Sequence, residues 1–198
     1  MAEFGPARVP TEEEMKRLYR VAKGGMYPVR NTAILMVSYK LGLRAKEIAA
    51  LRICDVLDSR AKLKEEIHLT GRMTKGKKQR VAYLSNPSLR VALTTYISER
   101  KEQEAGLFNV LAPLFKSQKG SSFSPNTMSQ LLTGLHEQAG VVGGRSHSGR
   151  RWFATELIGK GVDLKSVSIL MGHASVSMTA KYADANPQKL RRIAAELV

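Results

Sequence analysis

From residue 11 onward, apolar residues recur every three or four positions, except in two stretches where the period drops to two. Thr11-Glu-Glu-Glu14 has the form of a capping box: the Thr11 hydroxyl can take the first free amides, and Glu14 can reach back to the Thr11 amide. The helix it opens carries Met15, Leu18, Tyr19 and Ala22 on one face, and Gly24-Gly25 ends it. A second helix, over residues 31–41, is apolar on nearly every side (Ile34, Leu35, Met36, Val37), which predicts a central element stopped by Gly42. A third, over 45–51, turns Ile48 and Leu51 inward.

The pattern then changes. Residues 66–69 and 80–84 read as short strands joined by a loop holding Gly71, Lys75, Gly76, Lys77 and Lys78, a β-hairpin with a basic tip. Pro87 stands at the first turn of a long helix reaching to about residue 105. A Gly/Ser-rich loop, 120–124, precedes a helix over 125–139, and residues 140–144 form a glycine break. Short helices are predicted over 148–159, 163–171 and 176–183, and a last one runs to residue 198 from Asn186 as cap and Pro187 in its first turn. The fold class is mainly α with a small antiparallel β-sheet (α+β). One domain, 11–198, follows a leader at 1–10 whose Gly5, Pro6 and Pro10 predict either a flexible segment or an expression remnant.

Charge narrows the function. Thirty-two Lys and Arg face 17 Asp and Glu, a net charge of +15 in 198 residues, which calls for a polyanion partner, most often nucleic acid. The cations are spread along the chain, so they predict a folded surface cupping double-stranded DNA rather than a basic tail. Aromatic residues make up 6% of the chain, too few for base stacking to dominate binding. Cys54 is the single cysteine, which excludes an internal disulfide; its apolar neighbours Leu51, Ile53 and Val56 predict a buried, inert thiol. The longest wholly apolar run, 33–37, is far too short for a membrane span, and the first residues lack a signal-peptide pattern. These features predict a cytoplasmic, nucleoid-associated protein with no membrane partner.

Several residues could do chemistry. Arg44 opens a helix after a tight turn, where guanidinium and helix N-terminus can face one phosphate, and Glu47 lies one turn on, placed to hold it. Lys75 sits on the hairpin tip, His147 and Arg150 share a face at a helix start, His173 follows Gly172 at a helix end, and Tyr182 comes nine residues later. Taken singly each has a plain alternative: a solvated ion pair, a generic phosphate contact, a surface pair, a structural cap, a core tyrosine.

In order, these pieces resemble the tyrosine recombinase (phage integrase) family, catalytic domain. The matching text is Gly42-Leu-Arg44-Ala-Lys-Glu47-Ile-Ala-Ala-Leu51, then Thr74-Lys75-Gly76-Lys-Lys-Gln-Arg80-Val, then His147-Ser-Gly-Arg150-Arg-Trp-Phe153-Ala154-Thr155, then Leu170-Met-Gly172-His173 with Tyr182. The resemblance covers residues 11–190. It implies a site-specific recombinase (integrase, excisionase or invertase type) that cuts and rejoins DNA through a 3′-phosphotyrosyl link, with no metal, cofactor or ATP. Tyr182 is then the nucleophile, and Arg44 and Arg150 clamp the non-bridging oxygens. His147 and His173 hydrogen-bond the phosphate, with His147 taking the tyrosine proton, and Lys75 protonates the departing 5′-oxygen. Glu47 supports Arg44. Lys77, Lys78, Arg80 and Arg151 are expected on DNA. The implied partners are duplex DNA, further copies forming a tetramer on DNA, and accessory DNA-bending proteins.

The physics is consistent with this assignment. In-line attack on a phosphodiester builds negative charge on the equatorial oxygens, and one fixed donor there is worth ~3 kcal/mol. Arginine's planar fork binds two oxygens and keeps its charge. A covalent phosphotyrosine conserves the bond, so rejoining needs no external energy.

Departures from the family pattern are Gly149 where Leu is common, Arg151-Trp152 where His-Thr is frequent, and Tyr83 for a frequent Pro. Gly149 is expected to loosen the helix start. Most relatives carry a further N-terminal helical domain that closes a C-shaped clamp on DNA; only about ten residues precede the domain here, as in a fragment or a naturally short form resembling the fimbrial invertases. In the last helix, about 187–197, Leu190, Ile193, Ala194 and Leu197 form an apolar stripe, fit to dock on a neighbouring subunit or on its own domain. Two other readings stand beside the recombinase: a type IB topoisomerase-like relaxing enzyme, and a catalytically silent DNA-binding regulator.

Overall fold

A computed structural model describes residues 7–74, 79–183 and 195. Along the chain run α1 (Glu12–Gly24), α2 (Pro28–Leu41), α3 (Ala45–Ala50), α4 (Ile53–Val56), β1 (Glu66–Leu69), β2 (Arg80–Tyr83), α5 (Pro87–Glu104), α6 (Pro125–Gln138), α7 (Ser148–Gly159), α8 (Leu164–Met171) and α9 (Val176–Ala180).

Local chemistry sets the element starts. Glu14 accepts from the Thr11 amide at 2.8 Å while its own amide donates to the Thr11 hydroxyl at 3.3 Å, so the capping box is formed. Asn86, Ser124 and Asp163 cap α5, α6 and α8, each side chain accepting from the amide three residues on, with Pro87 and Pro125 in the first turns of α5 and α6. The apolar run of α2 puts Ala33 through Val37 in the interior, and α1, α5 and α7 pack around it. The hairpin pairs Glu66 with Tyr83 and Leu69 with Arg80, turning Ile67, Leu69, Arg80 and Ala82 inward. A second, smaller apolar cluster of Ala154, Ile158, Val167 and Met171 joins α7 to α8 and supports Tyr182.

The structure departs from the sequence reading in several places. Helix α2 begins three residues earlier, at Pro28. Helix α4 is four residues long, too short to show a period, and forms because Asp55 accepts from the Arg52 amide at 2.7 Å. The helix expected over 176–183 ends at Ala180 and continues as a turn. Cys54 is half-buried, not buried. The expected leader is pinned in its later part: Arg8 donates from its amide to the Gly143 carbonyl at 3.0 Å and from Nε to the Val142 carbonyl at 2.9 Å, and pairs with Glu14. Lys75, Lys77, Lys78 and the terminal helix with Leu190, Ile193, Ala194 and Leu197 lie outside the described residues. Among the described residues no helix is long and apolar enough to cross a membrane.

Candidate active site

Arg44 is placed by the turn that ends α2. Gly42 takes a left-handed φ of 61°, and a Cβ there would meet Phe153 Cδ1 at 2.6 Å, so only glycine lets α2 end this close to α7. Arg44 then stands at the head of α3 with Glu47 in the first turn. Glu47 Oε1 accepts from Arg44 Nη1 at 2.8 Å; Oε2 accepts from the Arg44 amide at 2.8 Å and from Arg80 Nη2 at 2.7 Å. The Glu47 side chain is fully buried, and that of Arg44 is 22% exposed, with N–H groups left for a ligand. Burial works against a charged Glu47, but Arg80, the Arg44 amide, Arg44 itself and Arg150 outweigh it and hold the carboxyl below its ordinary range.

Arg150 enters from the other side. One turn into α7, it donates from Nη1 to the Gly42 carbonyl at 2.7 Å and from Nη2 to the Met171 carbonyl. These carbonyls end α2 and α8, where helix dipoles favour a cation. His147 precedes α7, with Nδ1 3.3 Å from Ser146 Oγ, and Ser129 in turn donates to Ser146 Oγ at 2.8 Å. Gly149 does not loosen the helix start, as the sequence had implied. A Cβ on it would lie 2.3 Å from Ser38 Oγ and 2.9 Å from Tyr39 Cδ2, so the bare backbone lets α7 press onto α2.

His173 follows Gly172, the left-handed cap of α8, and its Nδ1 lies 2.8 Å from Thr179 Oγ1. Tyr182 stands in the turn after α9, its amide donating to the Thr179 carbonyl at 2.9 Å. Its ring stacks on His173 with centroids 5.7 Å apart and 19° between planes, against its own domain's second core cluster. Arg151, expected on DNA, is half-buried, with its guanidinium carbon 5.3 Å from the Tyr182 ring centre.

Contacts bring the groups together, since Arg150 touches the turns that carry Arg44 and His173, and His173 stacks on Tyr182; their protonation responds to that crowding. Burial, then Arg150, Arg44 and Arg80, push His173 down to about 4. Burial, then Arg150 and Arg44, lower His147. Arg150 falls to about 9 through burial, Arg44 and Arg80, opposed by Glu47 and Tyr182. Side chains from positions 44 to 182 therefore lie in one another's fields. Both histidines are neutral at pH 7, Arg150 stays charged, and the crowding of cations favours an arriving anion.

Arg80 is expected from the sequence on DNA. It is buried, bridging Glu47 and, through Nη1 at 2.7 Å, the Leu170 carbonyl. The signal was present: Arg80 has the parity of Ala82 and Leu84, so strand alternation puts it on the core side. Thr179 and Ser146, which the sequence reading did not single out, are the hydroxyl neighbours of the two histidines.

The model of the phage integrase family matches residues 8–189. Tyrosine recombinase XerC of Pelobacter propionicus is 30% identical over 185 residues, covering 93% of this chain and 53% of the relative. Tyrosine recombinase XerD of Mycobacterium leprae is 34% identical over 174 residues, covering 85% and 52%. The chain spans about half the length of the curated relatives it matches. Among solved structures, XerA recombinase superposes with a TM-score of 0.76 at 26% identity, over 95% of this chain and 64% of that one. XerH recombinase bound to a palindromic difH substrate, a post-cleavage complex, gives 0.73 at 26% identity, over 98% and 54%. The likeness to the Tn1549 transposon integrase, at 0.75 and 19% identity over 98% and 67%, concerns the fold.

Proposed function

The chain belongs to the phage integrase family, and from that premise we propose that it is the catalytic half of a site-specific DNA recombinase working through Tyr182. One observation carries the reading: Arg150 donates to the Gly42 and Met171 carbonyls, between the turn that presents Arg44 and the turn that presents His173, whose ring stacks on Tyr182.

In this mechanism a duplex phosphate enters between Arg44 and Arg150, which bind its non-bridging oxygens. Tyr182 Oη attacks phosphorus in line and its proton passes to neutral His147, the state a base requires at pH 7. His173, also neutral, hydrogen-bonds a phosphate oxygen. The bond to the 5′-oxygen breaks and Lys75 supplies the proton to that oxygen, leaving a 3′-phosphotyrosyl link and a free 5′-hydroxyl. Attack by another strand's 5′-hydroxyl reverses each transfer and releases Tyr182. Arg44 and Arg150 carry the charge stabilisation that metal ions supply elsewhere, each worth roughly 3 kcal/mol. A cleft of 390 Å³ beside α3 carries Lys46, Arg52 and Arg72 among apolar residues such as Leu111, Pro113 and Phe123, and these cations, with Lys77, Lys78 and Arg151, support contacts to the flanking backbone. Further copies in a tetramer, accessory DNA-bending proteins, a trans-docked terminal helix and a nucleoid location in the cytoplasm complete the reading.

The test begins with a library of nicked suicide duplexes having a randomised centre, from which the chain selects its own site. Wild type is expected to form a denaturation-resistant adduct through the 3′-phosphate in EDTA, and Tyr182→Phe none. A cleavage step that requires a divalent metal, or a 5′-linked adduct, refutes the mechanism. Retention of duplex without any adduct assigns the chain to DNA-binding regulation instead.

A further inference from the structure

Arg80 ties together three parts of the site. Its side chain is 5% exposed. It donates to Glu47 Oε2 and to the Leu170 carbonyl, both at 2.7 Å. Its Cδ lies 2.4 Å from where a Cβ on Gly172 would stand, and Gly172 has a φ of +60°. One side chain on β2 thus joins the carboxylate that braces Arg44 to the turn that presents His173.

We infer that Arg80 is a positioning residue for strand transfer, which divides the Glu47 carboxylate so that Arg44 keeps N–H groups for the phosphate and fixes the Gly172 turn beneath His173. The inference rests on the recombinase reading above. A buried carboxylate offers about four lone-pair sites to donors. With Arg80 taking one side of Oε2, Arg44 binds Glu47 through a single guanidinium nitrogen, Nη1, and its own amide. Without Arg80 the unmatched acceptor draws the Arg44 fork into a bidentate grip on Glu47. Arg44 then keeps its charge beside the phosphate but no longer aims its free N–H groups at the equatorial oxygens, so the loss falls on the transition state and not on binding. The bare Cα of Gly172 is what lets the Arg80 stem pass beneath the His173 turn, so the same side chain governs both ends of the site.

The experiment uses the full chain and the duplex selected above. Single-turnover adduct formation is measured for wild type, Arg80→Met, Arg80→Lys, Glu47→Gln and the Glu47→Gln/Arg80→Met pair, alongside duplex affinity, its salt dependence and Tm. Arg80→Met is expected to slow adduct formation about 100-fold, the loss that follows a misplacement of ~1 Å. Affinity and salt slope stay at wild-type values, because no phosphate contact is lost. Arg80→Lys folds with its charge retained, yet slows the step about 10-fold, since one ammonium cannot span Glu47 and Leu170 as a planar fork does. In the Glu47→Gln background Arg80→Met costs much less than in wild type, because the acceptor it shares has lost its charge.

Either of two results overturns the inference. If both Arg80 variants cleave at the wild-type rate per folded molecule, whatever their Tm, Arg80 is structural alone. If affinity weakens and the salt slope falls by about one, Arg80 contacts a phosphate. A wild-type chain that forms no adduct refutes the recombinase reading, and this inference with it.

Discussion

Gly149→Ala tests whether the close approach of α7 to α2 is what seats His147 and Arg150. In an uncrowded helix, alanine for glycine stabilises by about 1 kcal/mol. Here the new Cβ would lie 2.3 Å from Ser38 Oγ, 2.9 Å from Tyr39 Cδ2 and 3.1 Å from the Ser38 carbonyl carbon. Tyr39 cannot yield easily: its hydroxyl is 2.6 Å from His136 Nε2, and its ring packs 5.8 Å from that of Trp152. Overpacking of this kind costs up to about 3 kcal/mol, leaving a net loss of about 2 kcal/mol after the helix gain. For a domain of this size that lowers Tm by about 4–8 °C. Thermal unfolding followed by circular dichroism reads the shift, and adduct formation reads the displacement of His147 and Arg150. Ser38→Ala removes the shortest contact and a buried hydroxyl without a partner, so adding it restores much of the loss. Gly149→Leu, which introduces the residue common in the family, costs more than alanine. A Gly149→Ala chain that is more stable than wild type and equally fast refutes the packing argument.

Removing Glu47 as Glu47→Ala strips the shared partner from Arg44 and Arg80 and is expected to cost about 3–5 kcal/mol in urea unfolding; a loss below ~1 kcal/mol contradicts a buried clamp. Thr179→Val removes the hydroxyl at His173 Nδ1; adduct formation slows while duplex affinity holds, and an unchanged rate removes Thr179 from the site. Acid weakens the fold in a defined window. His173 is held at about 4 in the folded chain against an ordinary 6.5, so between these values the unfolded chain binds a proton that the folded chain refuses. Stability therefore rises with pH through that window and is lost as pH falls below 6.5. His147 and His136, also lowered chiefly by burial, add in the same sense. His173→Gln flattens this limb, and stability that is level or rises on acidification contradicts the assignment.

Much of the fold was legible along the chain because the signals are local. Thr11 with Glu14, Asn86 with Pro87, Ser124 with Pro125 and Asp163 mark helix starts through bonds reaching two or three residues. Period-two alternation located both strands, and the order Arg44, His147, Arg150, His173, Tyr182 identified the family that the comparisons show. What escaped was of another kind. Arg80 stands beside the basic loop, so charge suggested DNA where strand parity pointed inward; Glu47 decides the matter 33 positions away. Gly149 looked like a weak helix start because nothing near it in sequence reveals Ser38 and Tyr39 across the α2–α7 contact. Helix α4 was too brief to show a period, and the half-burial of Cys54 depends on chain that folds back from elsewhere.

By itself, then, the sequence determined which side chains were available and where helices and strands begin, since capping and periodicity act over a few residues. Whether Arg150 would meet Gly42 across 108 positions was decided only by packing. So were the seating of Tyr182 on its own domain beside His173 and the inward turn of Arg80. Coulomb energy and excluded volume depend on distance in space, and no interval along the chain records it.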